Sequence, residues 1–99
     1  SIIQNSIEII KLNKIKNPSI TIILKDSKEY IYLSIIDNAG GIKIQPIEDI
    51  FELFNSKKEK SSTGIGLYMS KMIIKKQFKG TIEVNNINNG AQFTILLPH

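Results

Sequence analysis

Apolar residues recur along this chain with two spacings, one typical of helices and one typical of strands. Isoleucines between Ile2 and Ile10 follow a near-helical period, which predicts a helix over residues 2–12. The runs SITIILK and YIYLSIID are short and rich in isoleucine, and DSKE joins them, which predicts an antiparallel hairpin. In the second run the odd positions from Ile31 to Ile35 are apolar and share one face of the strand.

The second half of the chain predicts two helices and two further strands. PIEDIFELF predicts a short helix with Pro46 in its first turn. Residues 65–78 predict a longer helix, because apolar side chains from Ile65 to Ile73 recur at i, i+3, i+4, i+7 and i+8, and we expect Gly80 to end it. TIEVNN and AQFTILLP predict strands joined through the turn sequence NNG. This order predicts an α+β fold, with a mostly antiparallel sheet and helices on one face.

Composition restricts the chain to one small domain. It has 99 residues, of which 41% are hydrophobic, and no apolar run approaches the ~18 residues of a transmembrane helix. It contains no cysteine, so disulfides and thiolate metal sites are excluded. Its single histidine, His99, is the last residue, which argues against a catalytic histidine and excludes a multi-histidine metal site.

The formal net charge is +4, and all the positively charged side chains are lysines. Three lysines fall within residues 57–60, and Lys71, Lys75 and Lys79 follow the helical i, i+4 spacing of a solvated helix face. Aromatic residues are not interleaved with these lysines, so the sequence predicts no nucleic-acid partner.

The stretch DNAGGI follows directly on the predicted strand that ends at Asp37. Gly40 and Gly41 remove side-chain bulk just after a carboxylate. Two explanations remain open on local grounds: a hairpin turn, or a backbone that approaches a ligand closely.

The stretch STGIGL precedes the longer predicted helix. Gly64 and Gly66 free the backbone where a helix N-terminus presents N–H groups and partial positive charge, which suits a phosphate. A tight turn is the alternative. The Walker pattern fails, because Leu67 stands where a lysine is required, and the dinucleotide pattern fails because no strand precedes the glycines.

Asn5 is a polar residue among isoleucines in the first predicted helix. It either lies at the helix surface or offers its amide oxygen to a hard cation. Mg²⁺ keeps several waters and takes few protein ligands, with phosphates completing its shell, so one amide oxygen is enough.

Together these stretches resemble the catalytic, ATP-binding domain of sensor histidine kinases, which belongs to the superfamily of gyrase-type and Hsp90-type (GHKL) ATPases. IIQNSIEII is similar to the asparagine box, DNAGGI to the first glycine box and IFELF to the phenylalanine box. STGIGLYMSKMII is similar to the second glycine box with its helix, and GAQFTILLP to the terminal strand. The resemblance covers residues 1–99 as one domain and implies a two-layer α/β sandwich, the Bergerat fold.

The resemblance implies roles for the residues near the base. Asp37 accepts a hydrogen bond from the exocyclic amine of adenine, which suits an acceptor-only carboxylate and selects against guanine. Gly41 lets the backbone lie beside the base, whereas position 39 is Ala39 and contributes no glycine. Asn5 holds Mg²⁺ against the phosphates.

The resemblance also implies a phosphate-binding region and a lid. Residues 55–63 form the lid over the nucleotide, and Phe51 and Phe54 are either its hydrophobic hinge or plain core. The remaining nucleotide-binding candidates surround the start of the longer helix or lie in the lid: Lys57, Lys58, Thr63, Gly64, Gly66 and Leu67.

Several positions depart from the family pattern. Ser62 replaces the first glycine of the second box, which costs about 1 kcal/mol or more if that position needs a positive φ. Glu8 stands where many relatives have a lysine, and Ser1 where they have an asparagine or an acid. Ala91 follows Gly90, where some members have a threonine that helps to recognise adenine.

The implied function is to present the γ-phosphate of Mg·ATP to a histidine on a separate dimerisation domain of a two-component kinase. The sequence begins midway through the asparagine-box helix, so we expect an N-terminally truncated domain that does not phosphorylate itself alone. The implied partners are that phosphoacceptor domain and a response regulator, with a homodimer left open. We expect a cytoplasmic location, with membrane anchoring of the parent protein left open.

Other functions remain as alternatives. A degenerate module that acts in assembly without nucleotide turnover is suggested by Ser62 and by the missing first strand, which leaves an uncovered edge strand. An ATP-hydrolysing relative needs a glutamate upstream of Asn5, and no acid precedes Asn5 in the sequence. A kinase of protein serine residues in the same superfamily is a further alternative.

Overall fold

The structure, a computed structural model, describes residues 2–52 and 66–99. Its elements, in chain order, are α1 (Ile2–Leu12), β1 (Ile20–Asp26), β2 (Tyr30–Asp37), a 3-10 helix (Ile47–Phe51), α2 (Gly66–Lys76), β3 (Thr81–Ile87) and β4 (Gly90–Pro98).

The strands of the described ranges form one antiparallel sheet in the order β1-β2-β4-β3. Both predicted hairpins are present, and β4 lies between β2 and β3. The register places Ile22, Ile35, Phe93 and Val84 in one row across the sheet, on the face that α1 and α2 cover. The predicted α+β fold, with helices on one face of a mostly antiparallel sheet, is therefore confirmed.

The core lies between this sheet face and the helices. Phe93 is 1% exposed at its centre, and the ring of Phe51 packs edge-to-face on it with centroids 6.0 Å apart. Ile2 from α1 and Ile74 from α2 are buried in the same cluster. Because Phe51 is buried among these side chains, the 3-10 helix is fixed to the body of the domain. None of the helices in the described ranges combines the length and hydropathy that a membrane crossing requires.

The helical periods are correct, but the buried faces differ from the predicted apolar stripes. In α1 the isoleucine pair Ile3 and Ile7 is exposed, and the position buried one turn after Ile2 is Ser6. In α2 the exposed positions include Met69 and Ile73, whereas Leu67 and Ile74 are buried. Leu67 and Ile74 are two turns apart on one side of the helix, which satisfies the same period with a different phase.

The ends of both later helices differ from the prediction. α2 ends at Lys76, and the left-handed residue beyond it is Lys79 (φ +57°), not Gly80. Gly80 is needed for space instead, because a Cβ there would lie 2.4 Å from the Leu96 carbonyl oxygen. The short helix is of the 3-10 type, and Pro46 lies just before it, after a cis Gln45–Pro46 bond. The predicted extension to Phe54 lies outside the described residues.

Candidate functional site

A cavity of about 280 Å³ opens beside the corner that follows β2. One wall is a stripe of α1 and the residue after it, with the spacing i, i+4, i+7 and i+8: Asn5, Ile9, Leu12 and Asn13. The other walls come from the end of β2, the corner and segment that follow it, the 3-10 helix and β4. Their lining residues are Asp37, Ala39, Gly41, residues 42–45, Ile50, Ala91 and Phe93. This is a mainly apolar cavity with a few polar groups, as expected for a small-molecule site.

Asp37 is the buried acid of this cavity, with 6% of its surface exposed. Its Oδ1 accepts the backbone N–H of Ala39 at 3.0 Å and that of Ala91 at 3.3 Å. Its Oδ2 accepts the hydroxyl of Ser6 at 2.7 Å. A carboxylate has about four acceptor positions. Within the described part of the chain three are used, so one position on Oδ2 remains for a ligand donor.

Ser6 is a site residue that sequence reasoning missed. It is 1% exposed, and it lies on α1 where the apolar pattern alone gives no reason for a buried hydroxyl. Its position one turn after the buried Ile2 was the available signal, since residues four apart share a helix face. A buried hydroxyl needs a partner, and Asp37 is that partner.

The corner after Asp37 has the backbone conformation that its glycines permit. Gly40 and Gly41 have φ values of +102° and +85°. At Gly41 the lack of a side chain also makes room for Asn86, whose Oδ1 would lie 3.2 Å from an added Cβ. A hairpin would need a strand directly after the corner to pair with β2. The described residues that follow the corner form no such strand, and β2 pairs with β1 and β4, so the hairpin interpretation of DNAGGI is wrong.

Two asparagine side chains hold this corner at the cavity. Asn86 accepts the backbone N–H of Ile42 at 2.7 Å and donates to its carbonyl at 2.8 Å, as a neighbouring strand would. Asn13 donates to the Ala39 carbonyl at 2.8 Å. These bonds tie residues 39–42 to β3 and to the end of α1, so the cavity wall is fixed before any ligand enters.

A third asparagine, Asn38, connects the corner to the segment between α1 and β1. Its Oδ1 accepts the backbone N–H of Ser19 at 2.9 Å, and its Nδ2 donates to the Asn17 carbonyl at 2.7 Å. Both ends of the Asn38 amide are therefore hydrogen-bonded to backbone groups, and Asn38 does not line the cavity. The polar side chain of DNAGGI that lines it is the neighbouring Asp37.

The structure brings three predicted site residues together at one cavity. Asn5, Asp37 and Gly41 all line the cavity. Gly66 is the first residue of α2, and Leu67 is 3% exposed with its side chain in the core, so only its backbone is available to a ligand. The remaining predicted positions lie outside the described residues: Lys57, Lys58, Thr63, Gly64, the lid residues 55–63, Ser62 and Phe54.

The lysine series at positions 71, 75 and 79, on α2 and just after it, is only partly a solvated face. Lys75 and Lys79 are exposed, as predicted. Lys71 is half-buried, with its Nζ 5.3 Å from the centroid of the Phe51 ring. This cation–π contact links α2 to the 3-10 helix at the edge of the core.

The donor set fits a magnesium ion held mainly by phosphates. Among the described residues no three histidine, cysteine or acidic side chains cluster as metal ligands. Asn5 is half-buried at the cavity wall, and within the described ranges its amide makes no hydrogen bond. Mg²⁺ takes one or two protein oxygens and completes its shell with waters and phosphates, so this single amide oxygen is compatible with it.

Comparison with known proteins agrees with this geometry. The family model of histidine kinase-, DNA gyrase B- and HSP90-like ATPases matches residues 1–99. The chain belongs to this family. The nucleotide-free catalytic domain of histidine kinase ThkA superposes with a TM-score of 0.69 at 27% identity, covering 93% of this chain and 62% of that one.

Similar sequences with names of sensor proteins or sensor kinases confirm the predicted resemblance. A probable C4-dicarboxylate sensor kinase of Halalkalibacterium halodurans is 28% identical over 99% of this chain. The C4-dicarboxylate transport sensor protein DctB of Rhizobium meliloti is 32% identical over 98% of it, and sensor histidine kinase YvrG of Bacillus subtilis is 34% identical over 82%. The chain spans 18%, 15% and 15% of the length of these relatives, respectively.

Proposed function

We propose that this chain is the part of a two-component sensor histidine kinase that binds Mg·ATP and presents its γ-phosphate to a histidine on a separate dimerisation domain. Membership of the ATPase family supports ATP binding. The similarity to sensor kinases and to the ThkA catalytic domain supports the kinase assignment within that family.

The observation that carries the proposal is the buried Asp37 carboxylate at the cavity wall. The described residues occupy three of its acceptor positions, and the one they leave on Oδ2 suits the exocyclic amine of adenine. Guanine has a carbonyl at that place, which would bring two acceptors together. A mismatch of this kind leaves a buried polar group unpaired, and such a site discriminates strongly.

The rest of the cavity provides positioning. Gly41 allows the backbone to approach the base, and the apolar side chains of Ile9 and Phe93 line the space around it. Asn5 would hold Mg²⁺, which neutralises the charge on the phosphates when it is bound. In the transfer step the histidine nitrogen attacks the γ-phosphorus, the bond to the β-phosphate oxygen breaks, and ADP leaves. The chain contributes position and charge neutralisation to this step.

The proposed partners follow because this chain positions ATP, whereas the attacking histidine belongs to another domain. A phosphoacceptor domain of the same kinase supplies the histidine, and a response regulator receives the phosphoryl group. A cytoplasmic location suits both partners and the supply of ATP, and it remains a prediction.

Calorimetric titration tests the proposal. With Mg²⁺ present, we expect ATP and ADP to bind, and GTP to bind at least about 100-fold more weakly. Mixing the chain with the helical hairpin of its own kinase and labelled ATP should then label the hairpin histidine. Equal affinity for ATP and GTP, or an unlabelled hairpin in the presence of bound ATP, would contradict it.

The second candidate is an assembly module that no longer turns over nucleotide. β1 is an edge of the sheet, and on its helix-facing side Ile22 and Leu24 are 55% and 69% exposed. Exposed apolar edge strands favour pairing with another chain. The same titration separates the two candidates, because the absence of binding at millimolar ATP with Mg²⁺ would favour the module.

A further inference from the structure

We propose that Ser6 is a positioning residue for base specificity, acting through Asp37. This inference rests on the proposed function, in which Asp37 accepts a hydrogen bond from the adenine amine. Ser6 itself does not line the cavity, so its effect on a ligand passes through the carboxylate.

The contact is short and buried. The Ser6 hydroxyl donates to Asp37 Oδ2 over 2.7 Å, and the two residues are 1% and 6% exposed. A hydroxyl bonded to a carboxylate in such surroundings is a charge-assisted hydrogen bond and stronger than a neutral one. The other oxygen, Oδ1, is held by the backbone N–H groups of Ala39 and Ala91. Ser6 is therefore the side chain that fixes Oδ2.

Fixing Oδ2 determines which ligand atom the cavity accepts. Two backbone donors on Oδ1 still allow the carboxylate plane to tilt about them. With Ser6 bonded, Oδ2 keeps one acceptor position, in one direction, toward the cavity. A ligand amino group then forms its bond without reordering the carboxylate, and preorganisation of this kind raises affinity.

The helix geometry separates this role from that of Asn5. Residues next to each other on a helix point in directions about 100° apart. Asn5 faces the cavity directly, whereas Ser6 faces Asp37 behind the cavity wall. The two consecutive residues of α1 thus serve the phosphate side and the base side separately.

The test compares two nucleotides that differ by the amine alone. Binding of ATP and of purine riboside 5′-triphosphate, which lacks the 6-amino group, is measured with Mg²⁺ for the wild type, Ser6→Ala and Ser34→Ala. Ser34 is the matched control, because it is 0% exposed, accepts a hydrogen bond from Gln92 at 2.8 Å and lies on the opposite sheet face.

We expect Ser6→Ala to weaken ATP binding about tenfold while the affinity for the analogue changes less than about twofold. Ser34→Ala should leave the ratio of the two affinities unchanged. If Ser6→Ala lowers both affinities by the same factor, Ser6 has a structural role only and the inference is wrong. If circular dichroism shows that Ser6→Ala does not fold, the same comparison is made with Ser6→Cys, which has the same shape with a slightly larger atom and a weaker donor.

The wild type separates this inference from the proposed function. A wild-type protein that binds neither nucleotide contradicts the proposed function and this inference together. Tight ATP binding with an equal loss of both nucleotides in Ser6→Ala contradicts this inference alone.

Discussion

The backbone carbonyl of Asp37 lies where a side chain of residue 90 would begin, since a Cβ on Gly90 would be 1.7 Å from the Asp37 oxygen. This approach brings the start of β4 against the end of β2. It also brings the N–H of the next residue, Ala91, to Asp37 Oδ1. Gly90 therefore has a second role besides following the turn at residues 88–89: its lack of a side chain allows the contact between Ala91 and Asp37.

Gly90→Ala should destabilise the domain by about 3 kcal/mol, the upper end of the usual cost of overpacking, because the added methyl group meets backbone atoms of Asp37 and Asn38. Chemical denaturation measures this change. The control is Asn89→Gly in the adjacent turn, where φ is +57°, and we expect it to change stability by less than about 1 kcal/mol. If Gly90→Ala is as stable as the wild type, the ends of β2 and β4 are not this close.

Asn86→Ala should loosen the corner at the cavity. The substitution removes both hydrogen bonds to Ile42, and since they are exposed we expect a loss of about 1–2 kcal/mol in the free energy of unfolding. ATP binding should weaken as well, because residues 39–42 are no longer held in place. Asn85→Ala, at an exposed neighbouring position on the other face of β3, is the control and should change neither quantity. Equal effects of the two substitutions would contradict a specific clamp.

Asn5→Ala should remove the magnesium dependence of ATP binding. In the wild type, affinity should fall when EDTA replaces Mg²⁺, whereas in Asn5→Ala it should already be low and respond little. Asn5→Asp supplies an oxygen at the same place and should retain the dependence. Thermal unfolding in the absence of nucleotide should be similar for all three proteins, and a strong metal response in Asn5→Ala would exclude this residue as a ligand.

The chain should not become phosphorylated by itself. Its single histidine, His99, hydrogen-bonds Asp26 at 2.6 Å. The backbone N–H of His99 donates to the carbonyl of Glu29, the residue just before β2. Asp37 lies at the other end of this strand, roughly 23 Å away at the usual rise per residue. Incubation with labelled ATP should leave the protein unlabelled, with His99→Ala as the blank. An acid-labile label that His99→Ala abolishes would contradict this.

Local patterns predicted the elements, and contacts between distant positions determined the rest. The helical period found α1, but the burial of Ser6 depends on Asp37, 31 residues later. The turn sequences found both hairpins, but they did not place β4 beside β2. DNAGGI identified the corner by its glycines, whereas the Asn86 side chain that holds it is 44 residues beyond Ile42. Local periodicity carries no information about such distant pairs. On local grounds Asn5 and the corner from Asp37 to Gly41 were open candidates, and the family resemblance gave them their roles.

Asp37→Asn tests the central claim most directly. The amide oxygen can still accept from Ala39 and Ala91, and the amide nitrogen can donate to the Ser6 hydroxyl, so the fold should persist. Toward the cavity, however, the amide nitrogen presents a donor to the donor of the adenine amine.

The measurement is calorimetric titration of ATP with Mg²⁺ into the wild type and Asp37→Asn, with folding of both checked by circular dichroism. We predict a folded variant whose ATP affinity is lower by at least about 100-fold, since it loses an accepting charge and gains an opposed donor. A folded Asp37→Asn that binds ATP as tightly as the wild type would contradict the assignment of this cavity to adenine.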